Sequence, residues 1–280
     1  MKTAKKPSVR KDFLIPDALW EEIKPLLPKH VTHHPLGCHR KRVDDRRAMN
    51  AIFFVLKTGC QWNALNVTGL CSSSSAHRRF QEWSEAGVFR KLWKQCLERY
   101  DELKGIDWRF CSMDGAMSKA PLAGEKRGPN PTDRAKQGIK RSLLTEGRGI
   151  PIGCVMAGAN KNDFKITQET IKSIPIKRPP PTAEHPQGLC LDKGYDYDEV
   201  RTLLKRFHFV PHIRSRGEEV SAIKKNPRFK ARRWVVERTH SWMNRFRDIL
   251  TCWTKKPVNF TAQLHLACAY ITLGQCGLLG

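Results

Sequence analysis

Hydrophobic positions in the first hundred residues recur three and four places apart, the spacing of one face of a helix. The pattern predicts four helices, which begin at Asp17, at Val43, just after Ser72 and at Val88. Asp17 and the serine run Ser72–Ser75 have side chains suited to capping a helix N-terminus. Gly59 is the expected stop of the second helix, because glycine readily adopts the left-handed conformation found there. This part of the chain is therefore predicted to be all-helical.

The third predicted helix has a mixed surface. Its apolar face is formed by Ala76, Phe80 and Trp83, while Arg78 and Arg79 are expected to look outward. Short helices with a basic surface suit docking on DNA, with this helix as the candidate reader. A plain helical bundle with a solvated basic face explains the pattern equally well. The connection from the second helix is also too long for a simple helix-turn-helix.

From about residue 105 the pattern changes to short apolar runs separated by Gly and Pro, which is typical of strands. Strands are predicted at 109–113, 140–146, 150–157, 189–191 and 209–213. Helices are predicted at 164–174 and 197–207. This order predicts an α/β fold with a mixed sheet flanked by helices. We therefore expect a small helical domain over 1–104 and an α/β domain over 105–280.

A last helix is predicted at 231–250, with two different stripes along it. The apolar stripe is formed by Val235, Trp242, Phe246 and Ile249. The polar stripe is formed by Arg233, Glu237, His240, Asn244 and Arg247. A carboxylate among arginines is usually a solvated ion-pair face. The stripe indicates a site only if other parts of the chain contribute to it.

The chain is strongly basic, with 51 Lys and Arg against 27 Asp and Glu and a net charge of +24 over 280 residues. Such a field attracts polyanions, of which nucleic acid is the commonest large one. An anionic membrane surface is the competing partner, but no basic amphipathic anchor and no apolar run of spanning length supports it. Residues 1–10 are basic and polar, so secretion is not expected. A cytoplasmic protein is the better interpretation.

Cysteine and histidine usage indicates neither disulfides nor a zinc site. The ten cysteines are scattered without a Cys-x-x-Cys pair, which favours reduced thiols. A cluster rich in metal-ligand residue types occurs near the end of the first predicted helix, and its spacing fits no standard zinc pattern. It comprises His30, His33, His34, Cys38 and His39.

Three carboxylates are stronger candidates for a functional site than the histidine-rich cluster. Asp114 and Asp192 each follow a predicted strand, where α/β sheets usually place their chemistry, and Glu237 lies on a later helix that could pack at the same sheet edge. Converging carboxylates repel one another unless cations hold them, and oxygen ligands select Mg²⁺ or Mn²⁺. Two such ions can assist an in-line phosphoryl displacement. Each aspartate alone is more often a turn residue.

An ordered series of motifs spans these residues. It comprises Met113–Gly115, Gly128–Arg134, Gly138–Arg141, Gly149–Ile152, Ala157–Asn160, Leu191–Asp196 and Arg233–Arg238, preceded by Asp44–Arg47, Leu56–Trp62 and Arg78–Trp83. The series resembles bacterial insertion-sequence transposases of the DDE class, in the "insertion sequence five" group. The resemblance covers nearly the whole chain, and the ordered set is far more specific than any single motif.

The resemblance implies a ribonuclease-H-like catalytic domain in which Asp114, Asp192 and Glu237 bind two Mg²⁺ ions, with Mn²⁺ as a substitute. It implies an enzyme that binds terminal inverted repeats in double-stranded DNA, cleaves the donor and joins its 3′-ends to target DNA. A homodimer or larger assembly on DNA in the bacterial nucleoid is expected. The expected DNA contacts are Arg233, Lys193, Arg238, His240, Asn244, Arg245, Arg78 and Arg79.

The chain departs from the family pattern at two positions. Lys230 stands where a tyrosine often precedes Arg233, and Asn244 stands where a lysine often follows the glutamate. Arg245 or Arg247 could supply the missing positive charge. Asp163, a further carboxylate of the pattern, is interpreted as structural or as supporting the metal ligands. Two alternatives stay open: a nuclease of the same fold that cuts without joining, and a decayed relative that only binds DNA and regulates.

Overall fold

The computed structural model describes residues 9–31, 41–122, 124–213, 224 and 234–279. In the N-terminal part the α-helices are α1 (Asp17–Ile23), α2 (Asp45–Thr58), α3 (Ser73–Glu85) and α4 (Val88–Lys104). Short 3₁₀ helices occur at Lys11–Phe13, Lys24–Leu26 and Trp62–Val67. The prediction of a helical N-terminal region is confirmed.

Local capping explains where two of these helices begin and end. The Asp44 side chain accepts a hydrogen bond from the Arg47 N–H at the start of α2, and Gly59 ends this helix in the left-handed region at φ 66°. The Ser72 side chain caps α3 by accepting from the Ser75 N–H. Asp17, in contrast, is the first residue of α1 and follows an N-cap at Pro16. Its predicted role as the cap is therefore wrong.

The second part of the chain forms a six-stranded mixed sheet. Its strands are β1 (Phe110–Lys119), β2 (Gly128–Pro129), β3 (Gln137–Thr145), β4 (Pro151–Gly158), β5 (Gly188–Leu191) and β6 (Val210–Ile213). The helices α5 (Asp163–Lys172) and α6 (Asp198–Arg206) lie between strands. The predicted mixed sheet with flanking helices, and with it the ribonuclease-H-like fold class, is confirmed.

The strands are ordered β2–β3–β1–β5–β6, with β4 also paired to β3. β3 is antiparallel to both β1 and β4, whereas β5 is parallel to β1 and β6 is parallel to β5. The β3–β4 hairpin turns at Gly147–Gly149, as predicted, with Gly149 at φ 90°. The carboxyl ends of β5 and β6 therefore face the same edge of the sheet towards which β1 runs.

β1 is longer than predicted. The prediction ends this strand at Met113, but it continues through Asp114 to Lys119 and pairs with β3 from Ser112 to Lys119. Asp114 therefore lies within a strand and not at its end. The segment after Asp114 carries small residues and no β-branched ones, so its strand conformation depends on the partner strand and not on local preference.

The predicted helix at 231–250 is interrupted. The structure has α7 (Trp234–Met243) and a short α8 (Arg247–Leu250) in its place. The buried face of α7 includes Val236 and His240, so the predicted polar stripe is wrong at His240. Arg247 lies beyond the break and does not continue the stripe.

The helix α9 (Pro257–Gln275) was not predicted. It is buried on nearly all sides, and a helix that is apolar all round has no amphipathic period to detect. Among the described residues, no helix combines the length and apolar character needed to cross a membrane. No disulfide joins the cysteines that the structure describes.

One hydrophobic core extends from the N-terminal helices into the sheet. α4 packs along α9, and the Trp93 Nε1–H donates to the Pro151 carbonyl of β4 at 3.0 Å. The predicted boundary at 104/105 falls at the turn between α4 and β1, where Gly105 has φ 70°. The boundary itself stays a prediction, but the two parts pack against each other over a wide area.

Buried Asp248 makes stability depend on pH. Burial raises its pKa to about 7, while the side-chain hydrogen bond from Gln263 lowers it. A carboxyl whose pKa is higher in the folded than in the unfolded chain stabilises the fold only while protonated, so stability falls as pH rises from about 4 to about 7. Asp248→Asn is expected to stabilise the protein at pH 8 by up to about 4 kcal/mol, and much less at pH 4.

Urea unfolding at both pH values measures this effect, with the exposed Glu21→Gln as the matched control. An equal change at pH 4 and pH 8 would contradict the assignment of the effect to Asp248.

Candidate active site

The register of β1 and β5 brings two aspartates together. Ser112 pairs with Cys190 across these parallel strands, and Asp114 and Asp192 each follow two residues later. Neighbouring strands lie about 4.8 Å apart, so the two backbone positions are side by side. The Asp192 carboxylate accepts the Gly194 N–H at 2.5 Å, which holds it at the start of a 3₁₀ turn over Lys193–Tyr195.

Glu237 reaches the same edge from α7, which packs against β1 and β3. His240 is one turn further along this helix, is 8% exposed, and hydrogen bonds the backbone of Asp114. The charge of Glu237 raises the pKa of Asp114, so the two carboxylates lie near each other. The Glu237 side chain is exposed to solvent.

The pKa of Asp114 shows that the carboxylates interact electrostatically. Burial raises the pKa of Asp114 to about 6, the Gly115 N–H lowers it, and repulsion from Asp163, Asp192 and Glu237 raises it further. The negative charges are therefore close enough to disfavour one another. Among the described residues, however, no three His, Cys, Asp or Glu side chains are close enough together to hold one metal ion.

Asp163 lies directly over β1. Its carboxylate accepts a hydrogen bond from the Lys140 ammonium at 2.7 Å, and the same ammonium donates to the Lys161 carbonyl at 2.9 Å. The other oxygen, Oδ1, is buried and has no hydrogen-bond partner among the described residues. A Cβ added at Gly115 would lie 2.1 Å from it, so only glycine leaves room for this carboxylate. Lys140 therefore holds Asp163 in place, and its interpretation as structural or as supporting the metal ligands stays a prediction.

Tyr195 is a part of the site that sequence reasoning missed. It is 2% exposed, and its hydroxyl has no hydrogen-bond partner among the described residues. Burial raises its pKa well above the usual value, and so do the charges of Asp163, Asp114 and Asp192. The hydroxyl therefore lies among the carboxylates. Its place in the Leu191–Asp196 motif, three residues after Asp192, was the available signal.

Arg141 on β3 was also missed as an individual residue. It is 3% exposed and donates to the Asn244 carboxamide at 3.0 Å, which ties β3 to the end of α7. Burial lowers the pKa of His240 to about 4, and the charge of Arg141 lowers it as well. His240 is therefore neutral at pH 7 and supports the backbone at Asp114 from inside the protein.

The remaining predicted DNA contacts differ in exposure. Lys193, Arg245 and Arg78 are exposed, and Asn244 is exposed while it accepts from Arg141. Arg238 is half-buried between the rings of Trp234 and Trp242, at 4.6 and 4.8 Å, and donates to the Arg148 carbonyl. Arg233 and Lys230 lie outside the described residues, as do His33, His34, Cys38 and His39 of the histidine-rich cluster.

Arg79 does not look outward as predicted. It is 8% exposed, pairs with Asp45, donates to the Val43 carbonyl at 2.9 Å, and lies over the ring of Trp83. Its guanidinium joins α3 to the start of α2. The helical period puts position 79 near the edge of the apolar face, and the nearby Asp45 draws the long side chain inward.

Two family matches cover most of the chain. Residues 91–273 match the family described as "Transposase DDE domain", and residues 15–93 match "Putative transposase of IS4/5 family (DUF4096)". A curated protein of Burkholderia cepacia, "Putative transposase for insertion sequence element IS402", is 34% identical over 156 residues, which is 54% of this chain and 67% of that protein. Another, "Insertion element IS402 uncharacterized 16.2 kDa protein", is 34% identical over 119 residues, 42% of this chain and 81% of its own length.

Solved structures are much less similar. The Mos1 mariner paired end complex with Mn is 12% identical at a TM-score of 0.30, covering 89% of this chain and 82% of that one. The Mos1 catalytic domain with Raltegravir and Mg is 11% identical at 0.28, covering 68% and 93%. Similarity at this level does not establish a shared function. The family match over residues 91–273 does establish membership, and this chain belongs to the DDE transposase family of bacterial insertion sequences related to IS4 and IS5.

Proposed function

We propose that this protein is a DNA transposase that cleaves donor DNA at the terminal inverted repeats of an insertion sequence and joins the 3′-ends to target DNA. The observation that carries the proposal is the strand register that sets Asp114 beside Asp192, together with the helix that brings Glu237 over the same edge. A net charge of +24 supplies the attraction that a phosphodiester substrate requires.

The three carboxylates are proposed to bind two Mg²⁺ ions, for which Mn²⁺ can substitute. The donor atoms of these three carboxylates are oxygens, which a hard divalent cation prefers. The neighbouring Asp163 also has a buried carboxylate oxygen without a partner among the described residues. When bound, such ions would make water or a 3′-hydroxyl a better nucleophile and stabilise charge on the transferring phosphoryl group.

The protein's own side chains hold the site in place and bind the DNA backbone. His240 fixes the backbone of Asp114, and Lys140 neutralises Asp163 so that the edge does not carry four uncompensated charges. Lys193 is exposed next to Asp192, and Arg245 is exposed beyond the end of α7. Both are proposed to contact phosphates, as is Arg233. Arg238 stacks between two indole rings, which favours a positioning role for its guanidinium.

The direct test is incubation of the full chain with double-stranded DNA that carries the candidate terminal repeats, in Mg²⁺ and in EDTA. Joined products that appear only with Mg²⁺ would support the proposal. Cleavage without joining would contradict it in favour of a nuclease, and a mobility shift without any chemistry would contradict it in favour of a regulatory DNA-binding protein.

Synapsis of two ends requires at least a homodimer. Sedimentation of the protein with DNA that carries one terminal repeat is expected to show two protein chains and two DNA molecules in each complex. A complex of one chain and one DNA molecule that still joins ends in pairs would contradict this part of the proposal.

Arg78 is the candidate reader of the terminal repeat. It is exposed on α3, so Arg78→Ala is expected to weaken binding to the cognate repeat by roughly 5- to 150-fold and to spare unrelated DNA, because base-edge contacts carry sequence discrimination. Competition binding measures the effect, with the exposed Arg99→Ala on α4 as the matched control. Equal loss on cognate and random DNA would show that α3 only positions the backbone.

Arg79→Ala is expected to act through stability instead. The change removes a buried guanidinium that joins Asp45 and the Val43 carbonyl, so the free energy of unfolding is expected to fall by about 1–3 kcal/mol. Urea unfolding measures this change. If the unfolding midpoint is unaltered and binding to the cognate repeat is lost, Arg79 contacts DNA directly and the stability role is wrong.

A further inference from the structure

A cavity of about 760 Å³ lies away from the carboxylates, between the N-terminal helices and the first turns of α9. Three aromatic side chains line it, namely Trp62, His77 and Trp253. Two lysines, Lys255 and Lys256, and the buried Asp248 also line it. Its size falls within the range of about 300–1,000 Å³ that small-molecule sites usually have. None of these side chains takes part in the proposed chemistry.

Two buried carboxamides line this cavity, and both have unused acceptors. Asn259 and Gln263 are 5% and 4% exposed, and Asn259 Oδ1 and Gln263 Oε1 accept no hydrogen bond from any described residue. The Gln263 amide nitrogen donates to the Asp248 carboxylate, which fixes the orientation of its oxygen. Buried acceptors normally have donors. A ligand with N–H groups would satisfy both.

The aromatic walls are suited to a flat ring. Trp62 is held edge-to-face against His77 at 5.0 Å and packs on Phe80 at 5.5 Å, so its plane is fixed. Trp253 is 54% exposed although it lines the cavity, and it therefore offers a large ring surface that the protein itself does not cover. Flat heteroaromatic rings stack on such side chains, and the strength of stacking depends little on which ring is bound.

The cavity also has a fixed position relative to the sheet. β1 continues from Asp114 to Lys119, a rise of roughly 17 Å at strand spacing. Lys119 pairs with Thr251, and its carbonyl accepts the Cys252 N–H at 2.7 Å. The segment that carries Trp253, Lys255 and Lys256 is therefore attached to the strand that carries Asp114. The length of β1 between Asp114 and this segment corresponds to a few nucleotides of a DNA strand.

We propose that this cavity binds a nucleobase with an exocyclic amine, either in a free nucleotide or as an unpaired base of a DNA strand. The ring stacks on Trp253 and Trp62, its N–H groups donate to Asn259 and Gln263, and its phosphate lies near Lys255 and Lys256. Adenine, cytosine and guanine carry the required amine, whereas thymine does not. The inference goes beyond the proposed catalysis, because it concerns a separate set of side chains and is tested without turnover.

The first measurement is calorimetric titration of the full chain with dAMP, dTMP and deoxyribose 5-phosphate. dAMP is expected to bind roughly 10- to 100-fold more tightly than the sugar phosphate, the contribution typical of one stacked base, and more tightly than dTMP. Trp253→Ala is expected to abolish the advantage of dAMP over the sugar phosphate, and Trp253→Phe to restore most of it. Asn259→Leu is expected to remove the preference for dAMP over dTMP.

The matched control is Val258→Ala, a substitution on the exposed side of the same helical turn. Thermal unfolding of every variant shows that it folds. A second measurement distinguishes the two sources of the base: duplex DNA with a short single-stranded tail of adenines is compared with the same duplex carrying abasic residues in the tail. A tail preference that Trp253→Ala abolishes identifies the source as DNA, and dAMP binding without any tail preference identifies a free nucleotide.

Two results would overturn the proposal. One is equal affinity for dAMP and deoxyribose 5-phosphate together with equal affinity for adenine and abasic tails. The other is a Trp253→Ala variant that keeps its base preference but loses self-association in sedimentation, which would make this face a contact between copies of the chain. Either result leaves binding of the untailed duplex unaffected, so it is distinguishable from failure of the proposed DNA function.

Discussion

Asp114→Asn, Asp192→Asn and Glu237→Gln are each expected to lower the rates of DNA cleavage and joining by at least about 10³-fold. A neutral amide has nearly the shape of a carboxylate but is a poor ligand for a hard cation, and losing several kcal/mol of transition-state stabilisation corresponds to this factor. The measurement is the rate of product formation in Mg²⁺ on DNA with the terminal repeats. The exposed Glu102→Gln on α4 is the matched control.

The same variants are expected to fold and to bind DNA. Asp114→Asn is even expected to raise the melting temperature of the metal-free protein, because the charged carboxylate is buried and repelled by Asp163, Asp192 and Glu237. Near-normal turnover in any one variant would remove that residue from the proposed site. A variant that fails to bind DNA or to fold would instead indicate a structural role.

DNA affinity is expected to fall by about 10³- to 10⁵-fold when salt rises from about 50 to about 200 mM, if roughly 6–10 phosphates are contacted. The reason is that a chain of net charge +24 displaces condensed counterions when it binds DNA. The measurement is the dissociation constant on a duplex of fixed length across a salt series.

Single charge removals refine this test. Lys193→Gln and Arg245→Gln are each expected to reduce the slope of log affinity against log salt by about one, because each removes one proposed phosphate contact. Arg99→Gln, on the exposed face of α4, is expected to leave the slope unchanged. A flat salt response of the unaltered protein would show that its basic surface serves a different partner.

The elements that the sequence predicted well are those with local signals. α2 and α3 begin at side chains that cap their own helix, and α2 ends at a glycine with positive φ. The continuation of β1 past Asp114 could not be predicted in this way, because it depends on pairing with β3. α9 was missed because burial on all sides leaves no contrast between faces.

In the candidate site, too, residues with a local sequence signal were predicted better than residues whose position depends on distant partners. Asp114 and Asp192 were predicted as neighbours from their positions after short apolar runs, and the parallel register of β1 and β5 does place them side by side although Asp114 lies within β1. Orientation on helices was less predictable. His240 and Arg79 are buried because of particular partners, the Asp114 backbone and Asp45, which a helical period does not reveal. Asp163 and Tyr195 lie at the site only because the fold brings the start of α5 and the 3₁₀ turn after β5 to this part of β1.

The packing of α4 along α9 limits how this protein can be divided. α9 is the last helix described in the chain, yet its neighbour is the helix that precedes the sheet. A polypeptide that starts at 105 would leave the apolar surface of α9 in water, and is expected to aggregate when produced alone. Production of 1–104 and 105–280 together is expected to recover a folded heterodimer, so the two halves would complement each other in trans like the fragments of a split protein.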